Sequence, residues 1–282
     1  MIKEIAYAKV NLFLNVTGKR KDGYHTLEML NAKIDMFDVL EFRKIDSEAI
    51  VIIKSNDIFL SNQDNIVVQV ARYMLKTYEI NSGLEITIDK KIPFGAGLAG
   101  NSADSAAVIK GIDKLFELNL SLETMREIAL MYGADIPYCL TDKPAFVKGI
   151  GEIIEEVDLD LSEYQVLLIN PVEYVGTKEV FELADKQGFT QKDMEILHSD
   201  IVNNDIDSLR LNLFNSLEEV VLNNYPFMKE FKELLIKELG SEGLVMTGSG
   251  SSFLKILHKK HDFSDFIARY NKKYLIKKHN FL

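Results

Sequence analysis

The most informative segment of the chain reads Lys91-Ile-Pro-Phe-Gly-Ala-Gly-Leu-Ala-Gly-Asn-Ser-Ala-Asp-Ser-Ala-Ala107. Three glycines, Gly95, Gly97 and Gly100, lie within six residues and are followed at once by small, helix-forming residues. Glycine lets the backbone approach a ligand closely, and the first N–H groups of a helix lie at its positive end. The segment therefore predicts a phosphate-binding loop that runs directly into a helix.

Two common nucleotide loops resemble this segment but do not fit it. Gly95 to Gly100 has the G-x-G-x-x-G spacing, yet Pro93 interrupts the approach and no second strand ending in an acid follows at the required distance. A P-loop needs lysine where Asn101 stands. A plain turn without a ligand remains an alternative, but it would need only one or two glycines.

Composition predicts a globular intracellular protein. The 282 residues are 47% hydrophobic and 27% charged, enough for two compact domains. The formal charge of −10 argues against a nucleic-acid partner, so we expect an anionic substrate to be held by a few placed cations. Cys139 is the single cysteine, which excludes an intrachain disulfide. With no signal-peptide pattern and no apolar run of membrane-spanning length, we expect a cytoplasmic location.

Hydrophobic periodicity predicts an α+β fold. Residues 5–16 alternate like a half-covered strand, and Ser121 is the expected N-cap of a helix that Gly133 ends. Further strands are expected at 34–42, 50–53, 84–88, 165–169 and 253–257, and helices at 65–78, 102–118, 176–187, 190–203, 205–221 and 226–239. Because the texture changes after Gly151, we expect two domains, 1–150 and 151–282.

Three motifs together resemble the GHMP kinases. They are Pro93 to Ala107, the opening strand Ala6-Tyr-Ala-Lys-Val-Asn-Leu-Phe-Leu14, and the C-terminal loop Leu244-Val-Met-Thr-Gly-Ser-Gly-Ser-Ser252. The resemblance implies a two-domain α+β fold with the active site in the cleft between the domains, and it implies ATP and Mg²⁺ as cofactors. It assigns ATP binding to Pro93, Phe94, Gly95, Ala96, Gly97, Leu98, Ala99, Gly100, Asn101, Ser102 and Ala103.

Further elements are similar to one branch of this family, which phosphorylates a cytidyl diphosphate in the non-mevalonate isoprenoid pathway. These elements are Arg20-Lys-Asp-Gly-Tyr-His25, Gly133-Ala-Asp-Ile-Pro137, Gly149-Ile-Gly-Glu152 and Thr177 to Phe181. The likeness implies direct transfer of the γ-phosphoryl of ATP to the 2-hydroxyl of 4-diphosphocytidyl-2-C-methyl-D-erythritol. The expected partner is this small molecule, without nucleic acid or membrane, and the expected state is a monomer or weak homodimer. Alternatives are a related kinase for another small alcohol, such as homoserine or mevalonate, and a non-catalytic nucleotide-binding relative.

The resemblance implies that Lys9 and Asp135 are catalytic. Taken alone, Lys9 fits a solvated edge-strand lysine, and Asp135 fits a helix cap. In the family positions, Asp135 would be the general base and Lys9 would contact it or the acceptor hydroxyl. Ser102 is the expected magnesium or phosphate ligand, although its position also suits an ordinary N-cap.

The resemblance also implies the acceptor site. Asn11, Tyr24, His25, Thr177 and Phe181 would bind the cytidyl substrate, with an aromatic ring stacked on the base. Without the family, Tyr24 and His25 would be the tip of a surface hairpin, and Tyr174 is a second candidate for stacking. The chain departs from the family pattern at Ala99 and Asn101, where glycine is usual. Since Asn tolerates left-handed backbone, we expect Asn101 to keep the path of the loop.

Overall fold

The computed structural model describes residues 1–47, 51–56 and 65–282. The chain forms two compact units, each discontinuous in sequence. The first unit contains Met1–Lys9, Met36–Phe94 and Ala99–Asp142; the second contains Val10–Asp35, Gly95–Leu98 and Lys143–Leu282. The division into domains 1–150 and 151–282 stays a prediction. Of the expected strand at 50–53, Ile50 lies outside the described residues.

Two long strands, β1 (Ile2–Lys19) and β2 (His25–Ile45), pair with each other and continue through both units. The other elements of the first unit are β3 (Val51–Ser55), α1 (Ile66–Thr77), β4 (Gly83–Asp89), α2 (Gly100–Phe116), α3 (Leu122–Leu130) and α4 (Ile136–Cys139). β4 pairs with β2 in antiparallel register and with β3 in parallel register.

Side-chain caps mark the start of two helices of the first unit, α1 and α3. The Asn65 side chain accepts a hydrogen bond from Val68 N at the start of α1, and Ser121 accepts one from Thr124 N at the start of α3. The predicted cap at Ser121 is thus confirmed. Gly111 lets α2 approach the sheet, because an ideal Cβ there would lie 2.4 Å from the Phe42 ring.

The second unit contains thirteen labelled elements besides its parts of β1 and β2. They are β5 (Ala145–Gly149), β6 (Ile153–Glu156), β7 (Tyr164–Asn170), α5 (Thr177–Gln187), α6 (Glu195–Val202), α7 (Ile206–Asn212), β8 (Phe214–Asn215), α8 (Ser216–Asn224), α9 (Pro226–Leu239), β9 (Leu244–Met246), β10 (Phe253–His258), α10 (Ser264–Tyr270) and β11 (Leu275–Asn280). A four-stranded antiparallel sheet has the order β11-β7-β10-β9, while β5 pairs with β2 and β8 with β1.

The α+β class is confirmed, and two local predictions are wrong. β1 is buried on both faces from Ala8 to Val16, so it is not half-covered there. The helix expected at 205–221 is interrupted by β8, because Phe214 and Asn215 pair in parallel with β1. The Asn215 side chain then accepts a hydrogen bond from Leu217 N and starts a new helix, α8.

Candidate active site

An ion pair within the first unit joins Lys9 of β1 to Asp135. The Lys9 ammonium lies 3.2 Å from Asp135 Oδ1; the lysine side chain is 3% exposed and the aspartate side chain 36% exposed. Asp135 stands at the N-cap of α4, but its carboxylate accepts no capping hydrogen bond from that fully described helix. A carboxylate that solvent can reach, beside a buried ammonium, is suited to accept a proton from a bound hydroxyl.

The start of α2, also in the first unit, presents backbone donors. Its first intrahelical bond runs from Ala103 N to Ala99 O at 2.9 Å, so the N–H groups of Gly100, Asn101 and Ser102 have no partner inside the helix. The N-cap is Ala99, whose side chain cannot cap. Ser102 therefore is not the N-cap, and this helix end has the donors and the partial positive charge that attract phosphate.

The left-handed residue at this helix start is Ala99, not Asn101. Ala99 has φ 53° and ψ 34°, whereas Asn101 lies inside the first turn of α2. The expectation that Asn101 keeps the path of the loop stays a prediction. A non-glycine residue carries the strained conformation one residue before the helix.

Within the second unit, Gly95–Leu98 packs on the loop Thr247–Ser252, here called the glycine loop. Thr247 Oγ1 donates to Gly97 O at 3.2 Å. Gly97 has φ 73°, and an ideal Cβ there would lie 2.2 Å from Thr247 O. Both the conformation and the close backbone contact require glycine at this position.

Two asparagines fix the glycine loop. Gly248 N donates to Asn11 Oδ1 at 2.9 Å, and Asn11 Nδ2 donates to Asn31 Oδ1 at 2.6 Å. From β8, Asn215 Nδ2 donates to Met246 O at 2.7 Å and to Gly248 O at 2.8 Å. Asn11 thus supports the loop, and its assignment to substrate binding stays a prediction.

The predicted aromatic residues of the second unit are only partly brought together. The His25 and Phe181 rings stack with centroids 4.7 Å apart and an interplanar angle of 26°. His25 Nε2 lies 2.7 Å from Asp185 Oδ1, and the Lys19 ammonium lies 2.5 Å from Asp185 Oδ2. Hydrogen bonds from Lys19 and His25 lower the pKa of Asp185. The Tyr24 side chain is exposed.

Thr177 and Tyr174 both contact the loops of the second unit. Thr177, the first residue of α5, is hydrogen-bonded through Oγ1 to Ser249 Oγ of the glycine loop at 2.8 Å. The Tyr174 ring covers Gly95, where an ideal Cβ would lie 2.5 Å from Cε2. Through Thr177, the start of α5 is hydrogen-bonded to the glycine loop, which also contacts Gly97.

Two family profiles match separate parts of this chain. Residues 65–149 match the description GHMP kinases N terminal domain, and residues 197–276 match GHMP kinases C terminal. The chain belongs to the GHMP kinase family. The α+β GHMP kinase fold expected from the sequence is therefore confirmed.

This GHMP kinase is similar to curated relatives over most of its length. It is 40% identical over 250 residues to the 4-diphosphocytidyl-2-C-methyl-D-erythritol kinase of Thermoanaerobacter pseudethanolicus, covering 88% of this chain and 85% of the relative. The enzyme of the same name from Clostridium novyi is 34% identical over 276 residues, with 96% and 97% covered.

Solved structures agree with the fold. A crystal structure of 4-(cytidine 5'-diphospho)-2C-methyl-D-erythritol kinase aligns with a TM-score of 0.77 at 26% identity, covering 99% of both chains. Homoserine kinase from Cytophaga hutchinsonii aligns with a TM-score of 0.73 at 18% identity, covering 98% of this chain and 92% of that chain. The second likeness concerns the fold alone.

No three histidine, cysteine, aspartate or glutamate side chains in the described ranges are grouped as a metal site. Among the helices of those ranges, none combines the length and apolarity needed to cross a membrane.

Sequence reasoning missed two polar residues of this GHMP kinase. Asp185 lies four residues after Phe181 on α5, a spacing that puts both on one face, and this signal was available. Asn215 gave no such signal, since it lay inside an expected helix. Its role depends on its pairing with a strand two hundred residues away.

Proposed function

We propose that this kinase transfers the γ-phosphoryl of ATP to the 2-hydroxyl of 4-diphosphocytidyl-2-C-methyl-D-erythritol, a step of non-mevalonate isoprenoid synthesis. The observation that carries the proposal is the contact of the buried Lys9 ammonium with the partly exposed Asp135 carboxylate. Curated relatives that bear the name of this activity support the choice of acceptor. The family membership supports ATP as the donor.

The chemistry proposed for Asp135 is general base catalysis. As the acceptor oxygen attacks the γ-phosphorus, its O–H bond breaks and the proton passes to the Asp135 carboxylate. The new O–P bond forms in line with the breaking bond to the β-phosphate oxygen, and ADP leaves. Lys9 orients the carboxylate and the hydroxyl with its positive charge. No phosphoenzyme is needed.

The start of α2 is proposed to bind the ATP phosphates. The N–H groups of Gly100, Asn101 and Ser102 donate to phosphate oxygens at the positive end of a 17-residue helix. The Ser102 hydroxyl fits Mg²⁺, which prefers oxygen ligands and takes its remaining ones from phosphate and water. When bound, this ion would neutralise charge that develops on the phosphoryl oxygens.

The cytosine is proposed to bind beside Tyr24, His25 and Phe181. The exposed Tyr24 ring is available for stacking, while Phe181 and Asp185 hold the His25 ring in place. We further propose that Thr177 and Asn11 help to bind this substrate. A cytoplasmic location and a monomer or weak homodimer remain predictions.

The test is an ADP-release assay with MgATP and a panel of alcohols. We expect turnover with 4-diphosphocytidyl-2-C-methyl-D-erythritol and little with homoserine or mevalonate. If one of the other alcohols is turned over preferentially, that alcohol is the acceptor and the proposed substrate is wrong. ATP binding without turnover of any alcohol would favour the non-catalytic alternative.

A further inference from the structure

A buried charge cluster lies in the first unit outside the catalytic pair. The Lys90 ammonium, just after β4, is 2.6 Å from Asp38 Oδ2 on β2 and 2.8 Å from Asp104 Oδ2 on α2. The Lys90 side chain is 5% exposed and both carboxylates are fully buried. One cation thus joins a strand, a helix and the chain segment between them.

The cluster is built around the approach to α2. Asp38 Oδ1 accepts hydrogen bonds from the backbone N–H groups of Lys91, at 2.5 Å, and Ile92, at 2.9 Å. At the other side, an ideal Cβ on Gly100 would lie 3.1 Å from the Lys90 ammonium. The cation therefore lies against the first residue of α2, and a side chain at Gly100 would press on it.

Stability alone does not explain such a cluster. Buried ion pairs often contribute little net stability, because desolvation offsets their attraction. Here two carboxylates share one ammonium, and Asp104 Oδ1 is buried without a hydrogen bond from any described residue. Burial raises the pKa of Asp104 to about 7. What the cluster does provide is a fixed geometry between β2 and the first turn of α2.

We propose that Lys90 is a positioning residue which, through Asp38 and Asp104, fixes the first turn of α2 and so aims its N–H groups at the ATP phosphates. This inference rests on the proposed binding of ATP at the start of α2. Lys90 does not touch the reacting atoms; it acts through Gly100 and Asp104. Misplacement by about 1 Å is enough to lower activity up to roughly a hundredfold.

The test compares Lys90→Met, Asp104→Asn and the double variant. We measure MgATP affinity by calorimetry, KM for ATP and for the acceptor, and stability in urea. Lys90→Met should weaken ATP binding about tenfold and raise the KM for ATP equally, while the KM for the acceptor changes less than about twofold. The double variant should recover part of the affinity, because it removes one buried charge of each sign.

Two controls separate positioning from stability. Lys114→Met removes a lysine near the other end of α2 that lies 2.6 Å from the buried Glu4 carboxylate, and it should leave ATP affinity unchanged. Val108→Ala creates a cavity under the same helix, where Val108 is fully buried. If Lys90→Met loses stability but binds ATP as tightly as Val108→Ala, the proposal is wrong.

Two further outcomes stay distinguishable. If Lys90→Met does not fold, Asp104→Asn decides, since it leaves the Lys90–Asp38 contact; unchanged ATP affinity in that variant would overturn the positioning role. If the wild type binds MgATP but phosphorylates none of the alcohols, the proposed acceptor is wrong. The binding comparison of the Lys90 variants remains a valid test in that case.

Discussion

The Lys9 ammonium and the Asp135 carboxylate lie 3.2 Å apart, although one belongs to the first strand and the other precedes α4. Their burial differs: the lysine is enclosed and the aspartate is partly open. The buried ammonium loses its hydration, and attraction to the adjacent carboxylate offsets the free-energy cost of that loss. The open side of that carboxylate remains available to a second group, such as an acceptor hydroxyl.

Asp135→Asn should lower turnover by about 10²–10⁴-fold, the usual contribution of a positioned general base. ATP affinity should change little, because the amide keeps the size of the side chain and the helix N–H groups are untouched. Steady-state kinetics and calorimetry with MgATP check both statements. Asp142→Asn is the control, since Asp142 belongs to the same unit and its side chain is 89% exposed. Near-normal turnover of Asp135→Asn would remove this residue from the mechanism.

Gly97→Ala should destabilise the second unit more than Gly188→Ala. Both glycines have positive φ, 73° and 81°, so an added Cβ strains the backbone at both positions. A Cβ on Gly97 would clash with the backbone of the glycine loop, 2.2 Å from Thr247 O. At Gly188, no described atom lies within 4 Å of an ideal Cβ. We expect an extra loss of about 1–3 kcal/mol in urea unfolding. Equal losses would argue against the packing of the two loops.

The resemblance predicted that Lys9 and Asp135 lie side by side, and the structure places them in contact. Phosphate binding by the loop from Gly95 to Gly100 and stacking of Phe181 on the base stay predictions. Residues that hold the loops of the site in place could not be found from sequence motifs. Asn215 acts only because β8 pairs with β1, and the alternation of β1 could not show that both of its faces are covered. Such contacts are set by long-range packing rather than by local pattern.

Asp185→Asn should raise the KM for the cytidyl acceptor several-fold and leave the KM for ATP within about twofold. The carboxylate fixes both His25 and Lys19, so its loss frees the ring that stacks on Phe181. Glu182→Gln on the same helix is the matched control, because the Glu182 side chain is 55% exposed and lies 3.9 Å from the ammonium of the exposed Lys178. An equal rise in the KM for ATP and the KM for the acceptor would mean that Asp185 supports the fold rather than the cytosine-binding residues.

Ala99→Gly should stabilise the protein by about 1 kcal/mol, because glycine adopts φ near 53° without the Cβ penalty. Asn101→Gly should leave turnover intact, since the family pattern has glycine there. It should not stabilise, because Asn101 is already helical. Thermal and urea unfolding of the two variants check the contrast. Stabilisation by Asn101→Gly and not by Ala99→Gly would contradict the backbone described for this turn.

The free energy of unfolding should fall in mild acid because of the partly buried His279 on β11, which contacts Asp35 on β2. His279 Nδ1 lies 2.8 Å from Asp35 Oδ1, and Asn280 Nδ2 donates to Asp35 Oδ2 at 2.7 Å. Burial lowers the pKa of His279 below its ordinary 6.5, outweighing the opposite effect of Asp35. The unfolded chain then binds a proton more readily than the folded chain, so stability falls as pH drops below about 6.5.

His279→Gln removes this titration while keeping a group that can donate to Asp35. Urea unfolding at pH 7.5 and pH 5.5 should show a smaller loss for the variant than for the wild type, by at most about 1 kcal/mol. His261→Gln, at an exposed position, should behave like the wild type. If His279→Gln keeps the full acid sensitivity, another group controls it, because the glutamine side chain has no proton to gain in this range.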